Sequence, residues 1–150
     1  PKKLNYIHRN LTDLKYHMYG SNKYLEKHGY PKTVNDLNKH KFISYGKGAP
    51  SPVFNPDWAL KLGMKDNKKR RSSMKVNSIM GLLLAVESGV GIAALPDYLV
   101  SLSSNLIKLI PSEEGPITEA YFVYPESLKN VARVQAFRNF LYSKISEWKF

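Results

Sequence analysis

The chain has 150 residues, 43% of them hydrophobic, no cysteine, and a formal charge of +11 from 23 Lys and Arg against 12 Asp and Glu. That is enough apolar material for one domain with its own core, which excludes a disordered chain. The missing cysteines exclude disulfide staples and Cys-based zinc sites and suit a reducing, cytoplasmic setting. The longest apolar run, eight residues from Ile79 to Val86, falls far short of the roughly 20 that span a membrane.

Leu14 to Tyr19 (LKYHMY) alternates weakly and is rich in strand formers, which predicts a strand stopped by Gly20-Ser21-Asn22. Ser21 is placed to cap a short helix over Lys23 to Lys27, closed by His28-Gly29. Thr33-Val34-Asn35-Asp36, a relative of the capping box, opens a short helical stretch, and Lys41 to Tyr45 (KFISY) is a strand. Gly46 to Pro56 is rich in Gly and Pro and predicts a loop. Trp58 to Leu62 and Lys75-Val76 are expected as strands either side of a basic segment. That segment, Lys61 to Lys75, holds seven basic residues and one acid, Asp66. Its Lys68 to Arg71 run has no interleaved aromatic to stack on bases, so it is expected as a solvated turn.

Asn77 or Ser78 caps a helix over Ile79 to Glu87, apolar nearly all round, which predicts burial on more than one side. Gly89 closes it, Gly91 lets the chain reverse, and Gly91 to Leu95 (GIAAL) is a buried strand of a parallel sheet. Pro96 starts another short helix. Leu106 to Ile110 and Ala120 to Tyr124 are strands, each cut off by proline. Val131, Val134, Phe137, Leu141, Ile145 and Trp148 recur at three- and four-residue steps, predicting an amphipathic last helix of about five turns. Strands alternating with helices give an α/β fold with a mainly parallel sheet.

The sequence offers no nucleophile elbow, no His-Glu-x-x-His and no phosphate-binding glycine loop. Gly89-Val90-Gly91 lacks a third glycine and follows a helix. His8, His17, His28 and His40 are scattered, and Glu113-Glu114 sits in a turn after proline. An enzyme, a metal site and a cofactor are therefore not expected. Binding fits better, because ligands of open α/β sheets sit beyond the carboxyl ends of strands. Tyr19-Gly20-Ser21, Tyr45-Gly46 and Val76-Asn77-Ser78 are three such points. Free N–H groups and the helix dipole at Ser21 and Ser78 favour a carboxylate or another anion; the plainer alternative is that both serines are only caps.

KYHMYGSNKYLEKHGYPKTVNDLNKHKFISYG resembles the middle of the effector-binding domain of LysR-type transcriptional regulators. Val76 to Leu99 is similar to that family's next block, Asn-Ser, a helix, and Gly-x-Gly-Ile-Ala…Leu-Pro-x-Tyr-Leu. AYFVYPESLKNVARVQAFRNFL is similar to its closing strand and helix. The likeness runs in order from Leu11 onward. It implies a periplasmic-binding-protein-like fold of two α/β lobes with a small-molecule effector between them. Residues 1–14 would be the tail end of the first lobe, 15–20 the outbound crossing strand, 21–118 the second lobe, and 119–150 the return strand and a C-terminal helix of the first lobe. It also implies that Ser21, Tyr45 and Gly46, Asn77 and Ser78, and Pro96 face the effector. Pairing of effector domains would give homo-oligomers.

The family's winged helix-turn-helix, dimerisation helix and first opening strands have no counterpart here. DNA would be met only through that absent helix-turn-helix, with no membrane partner. The last helix is then expected to show an apolar patch around Phe137, Leu141 and Trp148. Two alternatives stay open: a periplasmic-type solute-binding protein of the same fold, and a basic nucleic-acid-binding domain using Lys61 to Lys75.

Overall fold

The computed structural model describes residues 5–46, 55, 57–66, 68–101, 103 and 105–148. Two compact units emerge, one from Pro1–Leu14 with Thr118–Phe150 and the other from Lys15–Ile117.

The smaller unit pairs β1 (Tyr6–Leu14) antiparallel with β7 (Thr118–Pro125), in register from Tyr6↔Pro125 to Leu14↔Thr118, with an irregularity between Asn10 and Thr12. The expected return strand, Glu119 to Tyr124, lies within β7. A 3-10 turn over Glu126–Leu128 leads toward α5 (Ala132–Ser146). Helix α5 is tied to β1 where the Tyr142 hydroxyl donates to the Asn10 carbonyl at 2.8 Å, and Phe137 meets Phe122 edge-on at 5.8 Å. None of its residues is fully buried. Phe137, Phe140 and Trp148 are each about half exposed, while Leu141 is half-buried.

In the larger unit, β2 (Tyr16–Ser21) runs between β5 (Ala93–Pro96) and β6 (Leu106–Leu109), antiparallel to both. The Lys15–Gly20 stretch, expected as a connecting strand, is thus the centre of a sheet. Strand β3 (Phe42–Tyr45) lies parallel to β4 (Ser72–Val76). It also bridges toward β5 through a parallel Phe42↔Ile92 pair. The spatial order is therefore β4-β3-β5-β2-β6, with β3, β4, β5 and β6 pointing one way and β2 the other. The sheet is α/β and mainly parallel in strand direction, as the alternation predicted.

The pleat sends alternate side chains to opposite faces. One face carries Tyr19, Ile43, Ala93 and Leu95. It is covered by α3 (Ile79–Glu87) and α4 (Asp97–Val100), which bury Leu82, Leu83, Val86 and Leu99. The other carries Met18, Phe42 and Leu109 under α1 (Asn22–His28), a 3-10 helix over Val34–Lys39, and α2 (Trp58–Lys61). The 3-10 helix opens on a complete capping box. Thr33 Oγ1 accepts from the Asp36 N–H, and the Asp36 carboxylate accepts from the Thr33 N–H at 3.0 Å.

Four expectations need correction. Ser21 does not cap α1: its side chain makes no cap hydrogen bond, and it belongs to β2. Trp58 to Leu62 is not a strand but helix α2, whose four residues turn Ala59 and Leu60 inward, so the basic segment joins a helix to β4. Helix α3 is buried on one broad face, through Leu82, Leu83, Ala85 and Val86, and not on more than one side, because Met80 and Leu84 are 48% and 57% exposed. Gly91 is not a turn residue. Gly89 supplies the positive φ, +77°, whereas at Gly91 a Cβ would lie 2.4 Å from the Lys41 carbonyl oxygen. Most of the predicted Gly46 to Pro56 loop falls outside the described residues.

Candidate functional site

Strand direction decides which of the predicted residues meet. Tyr45 pairs with Val76, so the ends of β3 and β4 lie side by side, and the Gly46 N–H donates to the Val76 carbonyl at 2.7 Å. Gly46, Asn77 and Ser78 therefore share one edge of the sheet. Pro96, at the end of β5 beside Tyr16, lies at that edge too. Ser21 does not. Because β2 runs antiparallel, Ser21 pairs with Leu106 at the start of β6 and lies at the opposite edge. Ser21 and Pro96 are also fully buried side chains.

At the shared edge a small recess, with about 30 Å³ of room for water-sized groups, opens over the ends of β3, lined by Tyr16, Ser44, Tyr45, Trp58, Ile79 and Ala94 among others. Its walls are largely apolar with a few polar groups, the usual make-up of a small-molecule site. Ser44 is buried, and its hydroxyl makes no hydrogen bond among the described residues. The Tyr45 hydroxyl is likewise unpartnered there. Both arrive from KFISY, where the pleat turns Phe42 and Ser44 to one face. Ile79 is the first residue of α3, so the helix N-terminus meets this edge. Ser78 caps it through a long bond, 3.4 Å from the Gly81 N–H to Ser78 Oγ, leaving amides of the first turn free. Replacing Ser78 by Ala should cost about 0.5–1 kcal/mol, the low end because the bond is long; urea denaturation measures it.

Next to the recess is a second, solvent-open hollow of about 340 Å³, lined by Asp57, Lys69, Arg70, Arg71, Ser72 and Lys75, and sharing Ser44, Tyr45 and Leu60 with the first. Sequence reasoning missed Tyr16, Ser44, Trp58 and this basic wall. Only Ser44 left a signal, as the one polar side chain inside an apolar strand.

A polar cluster sits just behind the same edge. Asp97, the first residue of α4, is 7% exposed and accepts hydrogen bonds from three sides. His17 Nδ1 lies 2.9 and 3.0 Å from its two oxygens, the Tyr19 hydroxyl 2.8 Å away and Lys108 Nζ 3.0 Å away. An ionised carboxylate only accepts, so His17 carries its hydrogen on Nδ1. Burial pushes the Asp97 carboxyl up, but the bonds from His17, Lys108 and Tyr19 outweigh it and leave the pKa below the ordinary carboxylate value. The Tyr19 phenol is held well above its usual value by burial first and by the Asp97 hydrogen bond and charge second. With every oxygen of the carboxylate engaged, this cluster is a brace for the strand ends rather than a free reactive group.

Residues 3–145 match the family described as LysR substrate binding domain. An uncharacterized HTH-type transcriptional regulator of Haemophilus influenzae is 30% identical over 126 residues, which is 79% of this chain and 41% of that protein. The regulatory domain of CrgA from Neisseria meningitidis, described as a LysR-type transcriptional regulator, superposes with a TM-score of 0.77 at 23% identity. That match covers 97% of this chain and 71% of the other. A second, longer CrgA structure gives 0.76 at 24% identity, over 96% and 49% of the two chains. The chain thus spans less than half the length of the curated relative it matches. No helix among the described residues is long and apolar enough to cross a membrane.

Proposed function

Because this chain belongs to the LysR substrate-binding domain family, we propose that it is the effector-binding part of a LysR-type transcriptional regulator. It holds a small anionic molecule in the recess at the ends of β3 and β4. Occupancy then biases the geometry of a homo-oligomer, which reads DNA in the cytoplasm through a helix-turn-helix outside these residues. The carrying observation is the recess itself: an apolar hollow at the carboxyl ends of parallel strands, with the unpartnered hydroxyls of Ser44 and Tyr45 in its wall. The bias on the oligomer can be no larger than the effector's preference for one arrangement.

Trp58 lines the recess and Trp148 lies in the smaller unit, so a Trp148→Phe background isolates one reporter. Titrating that protein with a panel of small carboxylates should give a saturable change in Trp58 fluorescence. A matching gain in stability should approach about 2.7 kcal/mol at a hundredfold excess over Kd. Binding that leaves Trp58 silent, involves only oligonucleotides and falls steeply with salt would instead support the nucleic-acid reading.

A further inference from the structure

The basic segment was expected to be a solvated turn with no part in ligand recognition, but its four consecutive cations are not equivalent. Lys69 Nζ is paired with Asp57 at 2.8 Å. Arg70 is spent inside the protein: it donates to Asn38 Oδ1 at 2.8 Å and to the Leu62 and Val34 carbonyls at 2.7 and 3.2 Å, and its guanidinium lies over the Phe42 ring. These two residues hold the segment against the sheet. Arg71 and Lys75 have no ion-pair or hydrogen-bond partner among the described residues. Both face the hollow that adjoins the Trp58 recess.

Lys75 stands opposite Ser44 in the parallel pairing of β3 and β4, and neighbours in such a ladder point to the same face. Two exposed cations and the unpartnered Ser44 hydroxyl thus border one hollow. None of the three is committed to another group among the described residues, so each is available to a ligand. A ligand that accepts from Ser44 and places negative charge between Arg71 and Lys75 gains charge-assisted hydrogen bonds from both cations.

We propose that the molecule bound here is a small organic dianion. Its apolar body lies against Tyr45, Trp58 and Ile79, and its two negative charges lie between Arg71 and Lys75, with Ser44 donating to one of its oxygens. The inference rests on the effector-binding reading above and adds the chemical class. A monoanion leaves one cation uncompensated. Phosphate and paired carboxylates suit the planar guanidinium, which can donate two parallel hydrogen bonds. A nucleic-acid strand fits less well, since the hollow adjoins an apolar recess and its basic wall carries no row of aromatics on which bases could stack.

The test compares three probes with one apolar body: phenyl phosphate at a pH where it is a dianion, benzoate, and benzyl alcohol. Each is titrated calorimetrically at fixed salt and followed by Trp58 fluorescence. Phenyl phosphate is expected to bind about tenfold or more tightly than benzoate, the worth of an added charged hydrogen bond. The exposed pair Arg71→Ala with Lys75→Ala should erase that preference and leave benzyl alcohol unchanged. Ser44→Ala should weaken phenyl phosphate alone. Lys65→Ala with Lys68→Ala, which removes the same charge outside the hollow, should leave the preference intact.

Equal affinities for phenyl phosphate and benzoate overturn the dianion, as does an equal effect of the Lys65 and Lys68 pair, which would mean a general field. In either case, saturable benzyl alcohol or benzoate binding keeps the effector-binding reading standing. Silence of Trp58 toward all three probes overturns both.

Discussion

Asp97→Ala is expected to remove about 3–5 kcal/mol of folding stability, the toll for breaking a buried charge cluster from one side. The carboxylate is the only acceptor among the described residues for three donors: His17 Nδ1, the Tyr19 hydroxyl and Lys108 Nζ. Removing it leaves a buried imidazole N–H and a buried phenol without partners, and strands an ammonium beside them. Domains of this size are stable by about 5–15 kcal/mol, so the variant should lose from about a fifth of its stability to nearly all of it. Asn at the same position keeps the shape but turns an amide N–H₂ toward donors, and should fall between the two.

The pH dependence has a definite sign. The Asp97 pKa is lower in the folded protein than in the unfolded chain. Its contribution is therefore whole above the ordinary carboxylate pKa of about 4. It drains away as pH falls through the lower folded value. The wild type should lose stability more steeply than Asp97→Asn below about pH 4, and the two should run parallel from pH 5 to 7. Glu114 is the control. Its ion pair with Lys15, at 3.6 Å, is about half exposed on both sides, so Glu114→Ala should stay within about 0.5 kcal/mol of wild type. Urea midpoints across pH measure all four proteins. An Asp97→Ala protein as stable as Glu114→Ala would show that the cluster braces nothing.

What the sequence made legible was whatever is decided within a few residues. Helix α3 could be bounded because a cap residue, an apolar run and a left-handed glycine follow one another at Ser78, Ile79 to Glu87 and Gly89. The edge holding Tyr45, Gly46, Asn77 and Ser78 followed from one strand-to-loop and one strand-to-helix transition. Ser21 looked the same locally, since Tyr-Gly-Ser before a helix reads alike whichever way its strand runs. The antiparallel course of β2 is set by pairing with Ala93 and Leu109, some 70 to 90 positions away. Strand β1 was invisible for another reason. Both of its faces are partly exposed, and the register slips between Asn10 and Thr12, so no period of two survives. Helix α2 is too short for a period of 3.6 to show, and its Trp and Leu pass equally for strand formers. The split of Lys69 to Lys75 into paired and unpaired cations depends on Asp57, Asn38 and two carbonyls, none of which a charge count contains.

Gly91→Ala is the second large effect. It should cost about 3 kcal/mol or more, the upper range for atoms forced into a packed site. The new Cβ would sit 2.4 Å from the Lys41 carbonyl oxygen and 3.1 Å from its carbon. That carbonyl cannot step aside cheaply, because it accepts from the Ile92 N–H at 2.9 Å, while the Ile43 N–H donates to the Ile92 carbonyl at 2.9 Å. These two bonds join β3 and β4 to the sheet of β5, β2 and β6. Relief of the clash pulls β3 away from β5, and the recess goes with it, since Ser44 and Tyr45 line it from β3, and Ala94 and Tyr16 from β5 and β2. Hydrogen exchange at the Ile43 and Ile92 amides should therefore speed up beyond the global change, and probe binding at Trp58 should weaken in step. Gly46→Ala, at the other end of β3, has 3.7 Å to its nearest neighbour and should be neutral to within about 0.5 kcal/mol. If both alanine variants unfold at the same urea concentration, the contact at Lys41 is not what holds the two halves of the sheet together.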